Sequence, residues 1–292
     1  MPNVKTIGII GAGQMGGGIA LVAAQAGYHV ILQDLTEAIL ARSRGTIEAN
    51  MAREVKREKL TAAQAQEAQA RIGTTTELAA LGQAQLVIEA ATENEALKFQ
   101  VYDQFTPHLA PGAVFASNTS SISITRLAAH TPHPERFIGI HFFNPVPMME
   151  LVELIRGMAT NDETYAVAEA FVKRLGKTAY AAADSPGFIV NRIFVPMLNE
   201  AVFALHEGVG SVEAIDAAMK LGLRHPMGPL TLADYVGLDT MLAVMRVLYA
   251  ELGDPKYRPC PLLVRMVEAG WVGVKAGKGF YDYSQQPPRP TV

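Results

Sequence analysis

The feature that most constrains the fold is a glycine-rich turn between two short apolar segments near residue 10. Thr6 to Ile10 is a β-branched run typical of a buried strand, and Gly11-Ala12-Gly13-Gln14-Met15-Gly16 follows it directly. Residues 17–26 are small and helical in character, and His29 to Gln33 is a second strand that ends at Asp34. This order predicts a strand–helix–strand unit of a parallel sheet.

The glycine spacing, G-x-G-x-x-G, predicts a binding site for a dinucleotide. The glycines permit a tight turn, the close approach of a pyrophosphate and tight packing of helix on strand. The helix amino terminus offers free N–H groups and a partial positive charge. A purely structural turn is the alternative, but the strand before, the helix after and the later acid favour the dinucleotide. The residues expected to contact it are Gly11, Gly13, Gln14, Met15 and Gly16.

The acid at the end of the second strand predicts which dinucleotide binds. The carboxylate of Asp34 can accept hydrogen bonds from both ribose hydroxyls of the adenosine half, and it would repel a 2′-phosphate. Leu35 follows it, where an arginine would have favoured NADP. We therefore expect NAD as the cofactor.

Further strands alternate with helical segments over the first 185 residues. They are predicted at Leu86 to Ala90, Ala113 to Ala116 and Phe137 to Phe142. Residues 36–71 read as one long polar helical stretch, and Thr92 with Glu95 predicts a capping box for a later helix. The alternation predicts an α/β fold with a Rossmann-type, doubly wound sheet.

The pattern becomes all-α after Asp184-Ser185-Pro186-Gly187. Helices are predicted over 188–206, 211–221 and 238–252. Pro196 is expected to kink the first, Ser211 to cap the second, and Gly222 to lie just past its end. We expect an NAD-binding Rossmann domain over 1–185, a helical substrate and dimerisation domain over 186–284, and a disordered tail over 285–292.

Composition narrows the class of protein. Of 292 residues 49% are apolar and 18% are charged, which is typical of a globular chain. The net charge of −3 argues against a general nucleic-acid surface, and the single cysteine, Cys260, excludes an internal disulfide and fits a reducing compartment. We expect no signal peptide, no membrane span and no metal site, and a cytoplasmic location.

One of the seven histidines lies where open α/β sheets bind their ligands. His141 is at the end of a predicted strand that Asn144-Pro145 terminates. If 149–155 is also a strand, Glu153 lies on an otherwise apolar face, which is costly for a carboxylate without a partner. A neighbouring histidine is the natural partner, and the carboxylate would orient its imidazole for proton transfer. The alternative is an edge strand with Glu153 in solvent.

Several longer motifs, in this order, are similar to those of one enzyme family. They are Gly11-Ala12-Gly13-Gln14-Met15-Gly16, Glu89-Ala90-Ala91-Thr92-Glu93-Asn94, Ser117-Asn118-Thr119-Ser120-Ser121, His141-Phe142-Phe143-Asn144-Pro145, Asp184-Ser185-Pro186-Gly187-Phe188 with Asn191-Arg192, Pro226-Met227-Gly228-Pro229-Leu230 and Gly277-Lys278-Gly279-Phe280-Tyr281. Over essentially its whole length the chain resembles the L-3-hydroxyacyl-CoA dehydrogenases, and among them the bacterial 3-hydroxybutyryl-CoA dehydrogenases.

The resemblance implies a set of site residues. It implies His141 as general base, Glu153 as its orienting partner, and Ser120 with Asn191 as hydrogen-bonding groups near the substrate oxygens. Further positions implied on the cofactor side are Glu93 and Lys98 near the nicotinamide ribose and Asn118 at the junction with the substrate. It also implies an acyl-CoA substrate, acetoacetyl-CoA or 3-hydroxybutyryl-CoA, and a homodimer formed by the helical half.

Coenzyme A carries several phosphates, so a binding site for it requires cations. A basic stretch follows Asp34 along the chain and contains Arg53, Lys56, Arg57 and Lys59. Helical spacing puts Lys56 near Arg53, which makes this pair the first candidate for a phosphate clamp. A solvated basic face is the alternative.

Two other functions are compatible with these residues. One is a related NAD-dependent dehydrogenase of a free hydroxy acid or sugar acid, which would share His141 and Glu153 but need no coenzyme A site. The other is an NAD-binding structural protein without catalysis. The presence of Ser120 and Asn191 in addition to His141 and Glu153 argues against a structural protein without catalysis. Dependence of activity on the CoA moiety distinguishes an acyl-CoA dehydrogenase from a dehydrogenase of a free acid.

Overall fold

The computed structural model describes residues 4–292, which form two compact units. The first ends at Ser185 and the second runs from Pro186 to Val292. Among the described residues, none of the helices combines the length and the apolar character that a membrane span needs.

The first unit is built on one eight-stranded sheet. Its strands are β1 (Thr6–Ile10), β2 (His29–Gln33), β3 (Ile72–Thr75), β4 (Leu86–Glu89), β5 (Val114–Ser117), β6 (Phe137–Phe142), β7 (Leu151–Arg156) and β8 (Thr178–Ala183). The strand order is β3-β2-β1-β4-β5-β6-β7-β8. All neighbours pair in parallel except β6 and β7, which are antiparallel.

Helices flank this sheet and bury its central strands. They are α1 (Gln14–Gln25), α2 (Glu37–Lys56), α3 (Ala62–Ala70), α4 (Glu95–Phe105), α5 (Ile124–Ala129) and α6 (Asp162–Arg174). Every residue of β4, β5 and β6 is buried, as expected for strands covered on both faces. The predicted α/β fold class is confirmed, and the carboxyl ends of β1, β2, β4 and β5 lie along one edge of the sheet.

The second unit is helical. Its elements are α7 (Val190–His206), α8 (Val212–Leu223), α9 (Pro229–Val236), α10 (Leu238–Leu252) and α11 (Pro261–Glu268), with two short strands, β9 (Tyr281–Asp282) and β10 (Arg289–Pro290). Its core includes Leu198 of α7 together with Met241, Met245 and Leu248 of α10. α7 continues through Pro196, which lies inside the helix.

Two predicted helix boundaries in the first unit are wrong. The stretch 36–71 is two helices, because the chain turns after α2 through Glu58, whose φ is 57°, and Thr61 then caps α3. The cap of α4 is Asn94, whose side chain accepts from the N–H of Leu97 at 3.1 Å, and not Thr92. Thr92 instead accepts from the N–H of Asn94, one step earlier in the same turn.

Two predictions in the second unit also differ from the structure. Gly222 lies within α8, which ends at Leu223, because Arg224 takes the left-handed conformation that terminates the helix. The segment 285–292, expected to be disordered, includes β10, which pairs antiparallel with β9. The backbone N–H of Thr291 also donates to Phe280, a long-range contact that local composition does not reveal.

Candidate active site

The glycine turn after β1 has the close packing that its sequence predicts. Gly11 has a φ of 98°, and a Cβ there would lie 2.6 Å from the Cα of Ala91. A Cβ on Gly16 would overlap the carbonyl oxygen of Gly11. At Gly13, by contrast, a Cβ would meet no atom within 4 Å. Gly11 and Gly16 thus serve the packing of the turn, whereas Gly13 borders open space at the start of α1, a space that fits a pyrophosphate.

The acid expected to recognise the ribose lies beside this turn. Asp34 follows β2, and its Oδ2 accepts a hydrogen bond from the N–H of Ala12 at 2.6 Å. Its Oδ1 accepts from the N–H of Leu35 at 2.7 Å. Leu35 itself is 81% exposed. The side chain is therefore held at the edge of the glycine turn, where the ribose of a bound dinucleotide would lie.

A second acid joins two of the predicted site residues. Oε1 of Glu93 accepts from the backbone N–H of Ser120 at 2.7 Å and from its hydroxyl at 2.8 Å. The same oxygen accepts from Thr119 Oγ1 at 2.8 Å. The structure thus brings the loop after β4, which carries Glu93, against the loop after β5, which carries Ser120.

Asn118 connects the ends of two neighbouring strands. Its backbone N–H donates to the carbonyl of Glu89 at 2.8 Å. Its side-chain Oδ1 accepts from the N–H of Phe142 at 2.9 Å. Because Phe142 directly follows His141, Asn118 ties the end of β5 to the strand end that carries the histidine.

His141 and Glu153 form a buried pair. They are direct neighbours across the antiparallel strands β6 and β7, and His141 Nδ1 lies 2.8 Å from Glu153 Oε2. Their side chains are only 6% and 1% exposed. The alternative in which Glu153 faces solvent is therefore wrong. The carboxylate is an acceptor, so the histidine donates through Nδ1–H, and this fixes the tautomer of its imidazole.

Lys98 is deeply buried. Its side chain is 1% exposed, and Nζ lies 2.6 Å from Oε2 of Glu89. The contact with the nicotinamide ribose stays a prediction. Glu89 itself was missed by the sequence reasoning, although an acid closing the apolar strand Leu86–Glu89 is the same signal that singled out Glu153.

The basic segment contributes to a cavity of about 620 Å³ in the first unit. The charged residues that line it are Arg53, Glu54, Arg57, Lys59, Glu150, Arg174 and Lys177. Lys56 is not among the lining residues. Burial lowers the pKa of Lys177, an effect that Glu150 opposes, and its Nζ donates to the carbonyls of Val146 and Met149 at 2.7 Å each. Five cations against two acids give this cavity a net positive charge.

Asn191, predicted to lie near the substrate, belongs to the second unit. It is the second residue of α7. Its role in substrate binding stays a prediction.

Comparison with known proteins identifies the family. A model of the 3-hydroxyacyl-CoA dehydrogenase NAD-binding domain matches residues 6–185, and one of the C-terminal domain matches 187–283. The chain is 56% identical over 288 residues to a 3-hydroxybutyryl-CoA dehydrogenase of Bradyrhizobium diazoefficiens, covering 99% of this chain and 98% of that protein. A probable 3-hydroxybutyryl-CoA dehydrogenase of Bacillus subtilis is 47% identical, with coverage of 97% and 99%.

A solved structure agrees with these matches. The crystal structure of (S)-3-hydroxybutyryl-CoA dehydrogenase from Ralstonia eutropha is 52% identical, with a TM-score of 0.94, and the alignment covers 97% of this chain and 100% of that one. The NAD-binding domain match confirms the predicted cofactor. The resemblance seen in the sequence is also confirmed, and the chain belongs to the 3-hydroxyacyl-CoA dehydrogenase family.

Proposed function

We propose that this protein is an NAD-dependent L-3-hydroxyacyl-CoA dehydrogenase acting on short chains, which interconverts (S)-3-hydroxybutyryl-CoA and acetoacetyl-CoA. The observation that carries the proposal is the buried pair of His141 and Glu153 at the end of β6. A histidine held in one tautomer by a carboxylate suits the exchange of a proton with a hydroxyl group. The names of the relatives support the substrate.

The residues around the glycine turn fit NAD. Gly13 leaves room for the pyrophosphate, and no side chain caps the first turn of α1, so its N–H groups can bind the phosphates. Asp34 lies beside the turn, where its carboxylate can accept hydrogen bonds from the ribose hydroxyls. We assign Gln14 and Met15, the first residues of α1, to the same site. When bound, NAD supplies the acceptor for the hydride that leaves C3 of the substrate.

The proposed proton path uses this chain's own side chains. In the oxidation direction His141 accepts the proton of the 3-hydroxyl at Nε2, and Glu153 stabilises the resulting imidazolium through Nδ1–H. In the reduction direction the imidazolium returns the proton. Glu93 holds the hydroxyl of Ser120, and Ser120 with Asn191 would bind the substrate oxygens. Asn118 keeps the histidine strand in register with β5.

We further propose that the positively charged cavity binds the phosphates of coenzyme A. Arg53 and Arg57 line it, whereas Lys56 does not, so the clamp is assigned to Arg53, Arg57 and Lys59. Arginine forks suit phosphate oxygens. Arg57→Ala is expected to raise the KM for acetoacetyl-CoA about tenfold with kcat unchanged. Arg42→Ala, at an exposed position of α2, is the matched control.

We propose that the helical unit forms a homodimer. It exposes large apolar side chains, including Ile193 at 66%, Leu221 at 83% and Leu223 at 64%. Exposed apolar side chains of this size favour burial against a second copy. Sedimentation should show a dimer, and Leu221→Glu with Leu223→Glu should shift it toward monomer. We place the enzyme in the cytoplasm, in line with its single cysteine.

The decisive experiment follows NADH oxidation by the purified protein with acetoacetyl-CoA, beside NADPH and beside free acetoacetate. Turnover that prefers NADH and requires the thioester supports the proposal. Turnover of free acetoacetate or of a sugar acid would instead indicate a related dehydrogenase without a coenzyme A site. Binding of NADH without any turnover would indicate a structural role.

A further inference from the structure

A fully buried carboxylate lies at the carboxyl end of β4, below the loops of the candidate active site. Glu89 has no exposed surface. Its Oε2 accepts hydrogen bonds from Lys98 Nζ at 2.6 Å and from Ser117 Oγ at 2.9 Å. Tyr102 donates to the same oxygen at 3.2 Å, and the N–H of Ala91 donates to Oε1 at 2.8 Å. Donors from α4, from β5 and from the loop after β4 therefore meet on one side chain.

The charges in this network balance. The side chains of Lys98 and Glu89 are only 1% and 0% exposed. A buried ion pair of this kind is tolerated only when the two charges neutralise each other and their remaining polar atoms are hydrogen-bonded. Burial, reinforced by the charge of Glu89, raises the pKa of Tyr102 well above its usual value, so its hydroxyl stays a donor at neutral pH. Both oxygens of Glu89 are thus hydrogen-bonded.

Glu89 connects two loops that carry predicted site residues. Ala91, whose N–H donates to Glu89, packs against Gly11 of the glycine turn, which we also call the dinucleotide turn. Ala91 also precedes Glu93 in the loop after β4. On the other side, Ser117 Oγ accepts from the N–H of Thr119 at 3.3 Å, next to Ser120. Glu89 therefore holds both the loop after β4, which leads to Glu93, and the loop after β5, which leads to Ser120.

We propose that Glu89 is a positioning residue and that Lys98 is its counter-ion. The carboxylate sets the spacing between the dinucleotide turn and the loop that presents Ser120, and Lys98 neutralises its buried charge. This inference rests on the proposed function, because it assigns Ser120 to the substrate. A small displacement of either loop would misalign the reacting groups, and such misalignment is expensive in rate.

The test compares the parent protein with the double variant Glu89→Gln, Lys98→Met. Removing both charges leaves no unpaired buried charge, so the double variant is expected to fold where a single one would be strongly destabilised. Once Lys98 is replaced, three donors remain, and the single amide oxygen of glutamine cannot accept from Ala91 and also from both Ser117 and Tyr102, so one of the two loops loses its anchor. We expect the NADH Kd to rise about tenfold and kcat to fall about 100-fold, with the KM for acetoacetyl-CoA within about threefold.

A second variant separates the two loops. Ser117→Ala removes the link from Glu89 to Thr119 but keeps the bond from Ala91 to Glu89. It is expected to lower kcat about tenfold while the NADH Kd stays within about twofold. Equal effects on kcat and on NADH affinity would contradict the assignment of Ser117 to the support of the loop after β5, which carries Ser120.

The matched control is Phe105→Leu, a fully buried position on α4 that contacts Phe115 through its ring. It should lower the Tm and leave kcat and the NADH Kd unchanged, because it reduces ring packing against Phe115 and removes none of the hydrogen bonds to Glu89. A double variant with parental kcat and parental NADH Kd would overturn the proposal, and so would a Phe105→Leu protein with the same losses. If the parent does not turn over acetoacetyl-CoA, the proposed function fails, and the NADH Kd of the double variant still tests whether the buried ion pair supports cofactor binding.

Discussion

His141 Nδ1 and Glu153 Oε2 lie 2.8 Å apart, on residues that face each other across the antiparallel strands β6 and β7. Antiparallel pairing brings directly opposed side chains close together, so the register of the two strands creates the pair. The two side chains are only 6% and 1% exposed, so the sheet shields the pair from water. The pair is therefore a product of strand register as much as of residue type.

Replacing the histidine should abolish most of the chemistry without loss of the cofactor. His141→Gln is expected to lower kcat about 10²- to 10⁴-fold, because the proton of the hydroxyl loses its acceptor. NADH affinity should stay within about twofold of the parent, since the glycine turn is untouched. Steady-state kinetics and NADH fluorescence titration measure the two effects.

The chain offers a second histidine–carboxylate pair as a control. His130 Nε2 lies 2.9 Å from Asp103 Oδ1, but this pair is exposed. His130→Gln should leave kcat unchanged. Equal losses in the His130 and His141 variants would show that the effect is not specific to the buried pair.

Two glycines of the dinucleotide turn should respond differently to alanine. Gly16→Ala forces its Cβ into the carbonyl oxygen of Gly11 and is expected to cost about 1–3 kcal/mol of unfolding free energy. Gly13→Ala meets no protein atom within 4 Å, so its Tm should stay close to that of the parent while NADH binding weakens, because the methyl group occupies the space for the pyrophosphate. Thermal unfolding and NADH titration test the contrast; a stable Gly16→Ala protein would refute it.

The acid at the end of β2 should control the choice between NAD and NADP. Asp34→Ser removes a charge that repels the 2′-phosphate, so the preference for NADH over NADPH, as a ratio of kcat/KM values, should fall at least about tenfold. Glu48→Gln removes an equal charge from an exposed site on α2 and should leave the ratio unchanged. An unaltered ratio in Asp34→Ser would exclude this residue as the determinant.

The stability of the helical unit should depend on a buried carboxyl group. Burial raises the pKa of Asp234 to about 6, although the N–H groups of Phe280 and Tyr281 and the hydroxyl of Tyr283 favour its ionised form. The protonated acid is the form that folding favours. The stabilisation that protonated Asp234 contributes to folding is fully present below pH 3.8, its ordinary pKa, and is lost as the pH rises through about 6.

Thermal unfolding, followed by the fluorescence of Trp271, should therefore show a Tm that falls between pH 4 and pH 7. Trp271 is the single tryptophan of the chain and lies in this unit. The pKa values of Asp239, Asp254 and Asp282 are lowered, so their contributions change below this window. Asp234→Asn should flatten the slope, and a slope that persists in this variant would assign the titration to another group.

Local sequence predicted much of the fold. β1, β2, β6 and α10 have the predicted ends, because β-branched runs and amphipathic periodicity are local properties. The glycine turn was also predictable, since its spacing is itself the signal. Helix ends were predicted less well: the break between α2 and α3 depends on one left-handed residue, Glu58, which leaves no mark in composition.

The sequence by itself determined the class of fold and the cofactor, because each depends on residue type and short spacing. It named His141 and Glu153 as candidates, and the antiparallel register of β6 and β7 decided that they pair. The tertiary structure decided which partners the remaining polar residues have. It placed Lys98 on Glu89, nine residues away, and Glu93 on Ser120, in a different loop. It also gathered Arg57 and Lys177 around one cavity. Such contacts depend on how distant strands and helices pack, and no local pattern encodes them.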